Sequence, residues 1–261
     1  MFQPEKIRGE GEVESFANLK SEVIVVVAYG QILPKSVLEL PSVAIINVHA
    51  SLLPRHRGAA CVQAPIVAGE KESGVTIMHV EAGLDTGDII VASKVEIGEE
   101  ETGGELHDRL GEIAPAALME ALTLLETGEA PRLVQDESQA SYAGKLLRAD
   151  GEIDWSRPAE EIERIVRAYE PWPGTFTQFY NAKGKEKRLK VFPHCEVVEG
   201  GGDPGVLLQA DEGGIVVACG EGALRIHHVQ PEGSRRLEVA EFLAGNEMGV
   251  GERFFSLAEK V

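Results

Sequence analysis

Cysteine is scarce in this 261-residue sequence: there are three, Cys61, Cys195 and Cys219, far apart and without a C-x-x-C pair. An odd, scattered set supplies neither a disulfide framework nor a zinc site, and the three are read as packing or surface thiols. Long apolar runs are missing as well. No stretch approaches the roughly 20 residues that cross a bilayer, and Met1 is followed by Pro4, Glu5, Lys6 and Arg8 instead of an apolar signal core. The expectation is a cytoplasmic protein with no membrane partner and no metal. Positive charge is in deficit, with 25 Lys+Arg against 43 Asp+Glu and a net charge of -18. Such a surface does not attract phosphate backbones as a whole. The deficit is uneven: residues 1–141 hold 10 basic against 23 acidic side chains, and residues 142–261 hold 15 against 20. Any contact with a polyanion is therefore expected in the second half, where Lys183, Lys185, Lys187, Arg188 and Lys190 cluster.

What is present is patterned. Residues 21–29 form an unbroken β-branched run, as in a parallel strand covered on both faces. Gly30 and Pro34 end it, a short helical piece follows, and residues 43–48 form a second apolar run that closes on Asn47 and His49. Residues 59–68 read as helical. Residues 74–80 and 88–95 read as strands on either side of a Gly-Leu-Asp-Thr-Gly turn at 83–87. From 104 to 126, Leu106, Leu110, Ile113, Ala117, Leu118, Ala121 and Leu125 recur at helical spacing. Residues 128–150, with Gly128, Pro131 and Gly144, lack periodicity and suit a connector. Pro158 stands where a helix begins, with Ile162, Ile165, Val166 and Tyr169 as its inner stripe. Beyond it, five short strands near 176–180, 189–198, 205–209, 215–219 and 224–230 suggest a small barrel.

The chemistry gathers at the end of the second strand. Alternation puts Asn47 and His49 on one side of it, facing whatever lies beyond the strand's carboxyl end. Asp85, on its glycine-flanked turn, is a candidate third member, although spacing alone does not bring it there. An amide, an imidazole and a carboxylate suit acyl transfer to an amine. The amide and a protonated ring donate to the oxygen that gains charge, while the carboxylate orients the ring or relays the amine's proton. The alternative readings are a turn former for Asn47 and a satisfied scaffold histidine for His49.

Asn47-Val48-His49-Ala50-Ser51-Leu52-Leu53-Pro54 resembles the signature of the 10-formyltetrahydrofolate-dependent formyltransferases, and Gly83-Leu84-Asp85-Thr86-Gly87-Asp88 resembles their second motif. Further stretches resemble the branch that acts on methionyl-tRNA: Arg55-His56-Arg57-Gly58-Ala59-Ala60, Tyr142-Ala143-Gly144-Lys145-Leu146, Ile153-Asp154-Trp155 and residues 167–176. The resemblance covers residues 3–242 or so. It implies an α/β formyltransferase domain with a partial Rossmann-like parallel sheet, followed by a small OB-like β-barrel domain that binds tRNA. The expected bounds are 1–127, a linker at 128–150, and 151–261.

By the same resemblance Asn47, His49 and Asp85 are catalytic, with Asn47 and His49 at the formyl oxygen and Asp85 handling the proton and orienting His49. Val27, Ala28, Tyr29, Gly30, Ile32, Leu33, Ser51, Leu52, Leu53, Pro54 and Leu84 line the pterin pocket of the co-substrate 10-formyltetrahydrofolate. Arg55 and Arg57 contact the acceptor end of methionyl-initiator tRNA, and Lys183, Lys185, Lys187 and Arg188 touch its backbone. For Arg55 and Arg57 the alternative is a pair of solvated surface charges, and for the lysines a charged hairpin tip. The implied protein is a monomer. The chain opens at what resembles the loop after the family's first β-α units, which at about 30 residues each leaves roughly 60 unmatched; a truncated reading of a longer gene is expected. Two rival functions remain at this stage: formyl transfer to a nucleotide-linked sugar amine or other small amine, and an inactive, truncated binding module.

Overall fold

The structure is a computed structural model in which residues 5–9 and 11–256 are described. The two chain ends and Glu10 lie outside the described residues, and with them the outer limits of both expected domains. The chain divides into two compact units, one of Met1–Pro65, Lys71–Ile97 and His107–Lys145, the other of Ile66–Glu70, Gly98–Leu106 and Leu146–Val261.

In the first unit, helix α1 (Glu12–Ala17), strand β1 (Val23–Val27), helix α2 (Lys35–Leu38), strand β2 (Ala44–His49), strand β3 (Glu72–His79) and strand β4 (Ile89–Glu96) follow in order. The sheet runs β1-β2-β3-β4. Only β1 and β2 are parallel, with Val26 opposite Asn47; β2–β3 and β3–β4 are antiparallel. The parallel character read from the valine run thus holds for one pair. The turn at 83–87 reverses the chain too tightly for a parallel crossover, so β3 and β4 form a hairpin.

Burial of β1 also differs from expectation. Ile24 and Val26 pack with Ile45 against Ile7, Val13, Phe16 and Val37, whereas Val25 and Val27, on the other face, are exposed. A β-branched run states a preference for strand, and coverage depends on what packs on each face. β2, flanked on both sides by β1 and β3, buries Ala44, Ile45, Ile46 and His49 on the way to the candidate site.

The apolar stripe at 104–126 is borne out as helix α4 (Gly103–Thr127), where Leu106, Leu110, Ala117 and Ala121 are buried. Of residues 59–68 only α3 (Gln63–Val67) is helical. The stretch expected as a connector is partly built into the first unit, since residues 128–145 cluster there. Leu133 exchanges both backbone hydrogen bonds with Ile89, and the Arg57 N–H and carbonyl bond the Ser141 carbonyl and Ala143 N–H. Backbone pairing of this kind has no side-chain period, which is why the sequence shows a featureless tract.

In the second unit, helix α5 (Ala159–Ala168) starts after Pro158 and buries Ile162 and Val166. Among the described residues there are eight strands where five are expected: β5 (Thr175–Tyr180), β6 (Glu186–Val191), β7 (Glu196–Val198), β8 (Leu207–Asp211), β9 (Gly214–Ala218), β10 (Ala223–Ile226), β11 (His228–Pro231) and β12 (Leu237–Glu238), before helix α6 (Val239–Gly245). They form two antiparallel sheets, β7-β10-β9-β8 and β12-β11-β6-β5, not a closed barrel. The expected strand at 189–198 breaks at His194, which has φ +68, and the one at 224–230 breaks at His227. Each half enters a different sheet, as strands do at the corners of packed sheets. The core between them contains Trp155, Phe179, Phe242 and Phe254.

Candidate active site

β2 delivers Asn47 and His49 to the carboxyl end of the sheet, on the face they share with Ile45. His49 is 5% exposed. Its Nε2 lies 3.1 Å from the His56 carbonyl oxygen. A carbonyl only accepts, so Nε2 carries the hydrogen and Nδ1 is left with its lone pair in the neutral ring. Burial is the largest influence on the ring and lowers its pKa; the Asp85 carboxylate and then the hydrogen bond to the His56 backbone oppose this, and the His56 ring adds the smallest effect, a lowering. The neutral form is thus favoured, in contrast to the protonated donor that sequence chemistry offers.

Nδ1 faces the Asp85 carboxylate at 3.7 Å from Oδ2. Two stretches 36 positions apart in the sequence therefore meet. The separation exceeds hydrogen-bond length, as suits a lone pair opposite an anion; a proton arriving on Nδ1 would convert the contact to an ion pair. Asp85 Oδ2 is held by the Gly58 N–H at 2.8 Å. Asn47 is half-buried, and its carboxamide makes no hydrogen bond with the described residues.

The 50–58 loop that frames the ring is tied to the sheet. Thr76 Oγ1 donates to the Ser51 carbonyl at 2.6 Å and accepts from the Leu53 N–H at 3.2 Å. Ser51, 0% exposed, donates to the Arg55 carbonyl. His56 N–H donates to Ser141 Oγ at 2.9 Å. Three non-glycine residues of this region, Ala28, His56 and Asp85, have φ between +46 and +57. Such conformations persist only where surroundings hold them, and they cluster at functional sites. Gly58, at φ +111, faces the Ala143 carbonyl so closely that a Cβ would lie 2.4 Å from its oxygen. Gly58→Ala should therefore displace the N–H that grips Asp85; kcat falls by roughly tenfold, within the range that a misplacement below 1 Å produces, as steady-state assays would measure.

The other expected residues divide. Val27, Tyr29, Ile32 and Leu84 are exposed apolar side chains, with Ala28 and Gly30 in left-handed conformations between them. Leu33, Leu52 and Pro54 are half-buried, and Leu53 is buried. Arg55 is exposed, as are Lys183, Lys185, Lys187 and Arg188 on the β5–β6 hairpin, whose tip is closed by Asn181 Oδ1 accepting from the Lys183 and Lys185 N–H groups. Arg188 lies 4.2 Å over the Phe176 ring. Arg57 departs from expectation: its side chain is 0% exposed and its guanidinium is committed to the buried Gln135 and the exposed Glu137, so it offers no fork to an external phosphate. The sequence reading missed His56, Gly58, Thr76, Gln135 and Ser141; Gly58 alone left a signal, as a glycine inside the Arg-His-Arg-Gly stretch. Burial pushes the Cys61 thiol up to about 11, which leaves it no thiolate for covalent catalysis at neutral pH. Among the described residues no three His, Cys, Asp or Glu side chains gather as a metal site, and no helix is long and apolar enough to cross a membrane.

Two family profiles match the chain, "Formyl transferase" over residues 1–122 and "Formyl transferase, C-terminal domain" over 145–247. That pairing and the amide, imidazole and carboxylate at the strand end define the class. Methionyl-tRNA formyltransferase of Akkermansia muciniphila is 47% identical over 247 residues, covering 94% of this chain and 79% of its own. That of Symbiobacterium thermophilum is 44% identical over 255 residues, covering 97% and 77%. The chain belongs to the methionyl-tRNA formyltransferase family. Among solved structures, HypX from Aquifex aeolicus in complex with tetrahydrofolic acid has a TM-score of 0.64 at 22% identity; the match covers 92% of this chain and 41% of HypX, so the chain spans less than half of that protein. An N-formyltransferase from Helicobacter canadensis bound to folinic acid and dTDP-3-aminofucose has a TM-score of 0.55 at 19% identity, covering 74% and 66%. At these identities the likeness is one of fold.

Proposed function

We propose that the protein transfers the formyl group of 10-formyltetrahydrofolate to the α-amino group of methionyl-initiator tRNA, with Asn47, His49 and Asp85 as its catalytic residues. The observation that carries the reading is the approach of Asp85 Oδ2 to His49 Nδ1 at 3.7 Å beside an uncommitted Asn47 amide. The amine nitrogen attacks the formyl carbon, forming the new C–N bond as the carbonyl π pair moves to oxygen. Asn47 donates a hydrogen bond to that oxygen. His49 Nδ1 takes the proton released by the attacking amine, and Asp85 stabilises the resulting imidazolium. Collapse restores the carbonyl and breaks the bond to N10 of the folate, which receives the proton. The reading differs from the resemblance in giving His49 the proton instead of the formyl oxygen, because burial favours its neutral form and Nε2 is committed to His56.

The exposed Val27, Tyr29, Ile32 and Leu84 provide apolar surface for the pterin, and Arg55 with the Lys183–Arg188 hairpin provides cations for the tRNA. The acceptor implies a cytoplasmic site of action, and one chain with both parts suits a monomer that needs no metal. Incubating the protein with 10-formyltetrahydrofolate and charged initiator tRNA should yield formylmethionyl-tRNA. Formylation of amino-sugar nucleotides, with none of the tRNA, would overturn the acceptor; transfer to neither would leave a binding module.

A further inference from the structure

We infer that Arg57 and Gln135 are positioning residues for Asp85, acting through a buried hydrogen-bond relay without touching substrate; the inference rests on the proton-handling role of Asp85 proposed above. A guanidinium at 0% exposure is unfavourable unless its donors are matched. Here they are. Nε and Nη2 donate to Gln135 Oε1 at 3.1 and 2.8 Å, Nη2 and Nη1 donate to Glu137 Oε1 and Oε2 at 2.7 and 3.0 Å, and Nη1 reaches the Tyr142 hydroxyl at 3.4 Å. Gln135 is itself 6% exposed. With its oxygen fixed by Arg57, the planar amide has one orientation left, and its nitrogen donates to the Asp85 carbonyl at 2.9 Å and the Gly87 carbonyl at 2.8 Å.

Those two carbonyls bracket the turn in which Asp85 holds φ +54, a conformation L residues avoid without support. The residue after Arg57 supplies the second grip, the Gly58 N–H on Asp85 Oδ2. Residues 57 and 58 therefore hold the backbone of Asp85 through Gln135 and its carboxylate directly. A neutral side chain could fill the space of Arg57, but only a rigid fork of donors dictates which end of Gln135 faces the turn.

The test uses the full chain and a double-mutant cycle. Gln135→Glu keeps an acceptor for Arg57 but loses both donors to the turn. It should lower kcat about tenfold with KM for both substrates within about twofold in a chain that circular dichroism shows still folded, and in an Asp85→Asn background the same change should cost less than about twofold. An equal factor in both backgrounds, or an undiminished rate, overturns the inference. NMR titration of His49 gives a readout independent of activity. Asp85 raises the ring's pKa, so a displaced carboxylate in the neutral variants Gln135→Met and Arg57→Met should move the midpoint down, as in Asp85→Asn. A midpoint unmoved in either folded variant overturns the relay. A wild-type chain that transfers no formyl group would refute the functional reading alone, and the titration would still decide the relay.

Discussion

Replacing His49 by alanine, or Asp85 by asparagine, should lower kcat for formyl transfer by about 100-fold or more, the range for acid–base and charge-stabilising groups. KM should move little, because both act on charge that develops during the reaction. The double variant should be about as slow as the slower single variant, since Asp85 acts on a proton that His49 carries. The pH dependence follows with its sign. The neutral ring is the working form, so activity is present above the His49 pKa and lost as pH falls through it. Burial lowers that pKa, so the acid limb of kcat/KM should lie below the ordinary histidine midpoint. Asp85 raises it, so Asp85→Asn should shift the limb further toward acid. Single-turnover transfer measured between about pH 5 and 8 reads all of this. Unchanged rates in both variants would remove the assignment of the site.

The second unit should lose about 3–5 kcal/mol of stability on Trp155→Ala. Trp155 is fully buried, its ring lies 6.0 Å from that of Phe254, and its Nε1 donates to Thr177 Oγ1 at 3.0 Å. Truncation removes the largest fully buried side chain and leaves a cavity between the two sheets. Trp155→Phe, which keeps most of the volume and loses the N–H, should cost closer to the roughly 1 kcal/mol of one hydrogen bond. Calorimetry of the three proteins would show it as a graded fall in melting temperature; near-equal values for alanine and phenylalanine would mean that the cavity collapses.

Part of the site is legible in the order of residues. Asn47 and His49 are alternate residues at the end of an apolar strand, so their common face needs only local geometry. The turn at Asp85 is marked by Gly83 and Gly87; at the latter a Cβ would meet the His79 carbonyl. Helices α4 and α5 show in their stripes of buried Leu, Ala, Ile and Val. Arg57 is the contrasting case. An Arg-His-Arg-Gly segment reads as a cationic rim, and nothing within it shows that one of the two arginines is covered and bonded to Gln135 and Glu137, 78 and 80 positions away.

The sequence by itself determined which chemical groups stand at the end of β2 and that a glycine-bounded turn carries a carboxylate, because these depend on neighbours a few residues apart. Only the tertiary structure decided that the carboxylate meets the ring, that the ring is held neutral, and that the tract after α4 supports the site. Burial and long-range hydrogen bonds set those three things, and both arise between segments whose separation in sequence has no period to read.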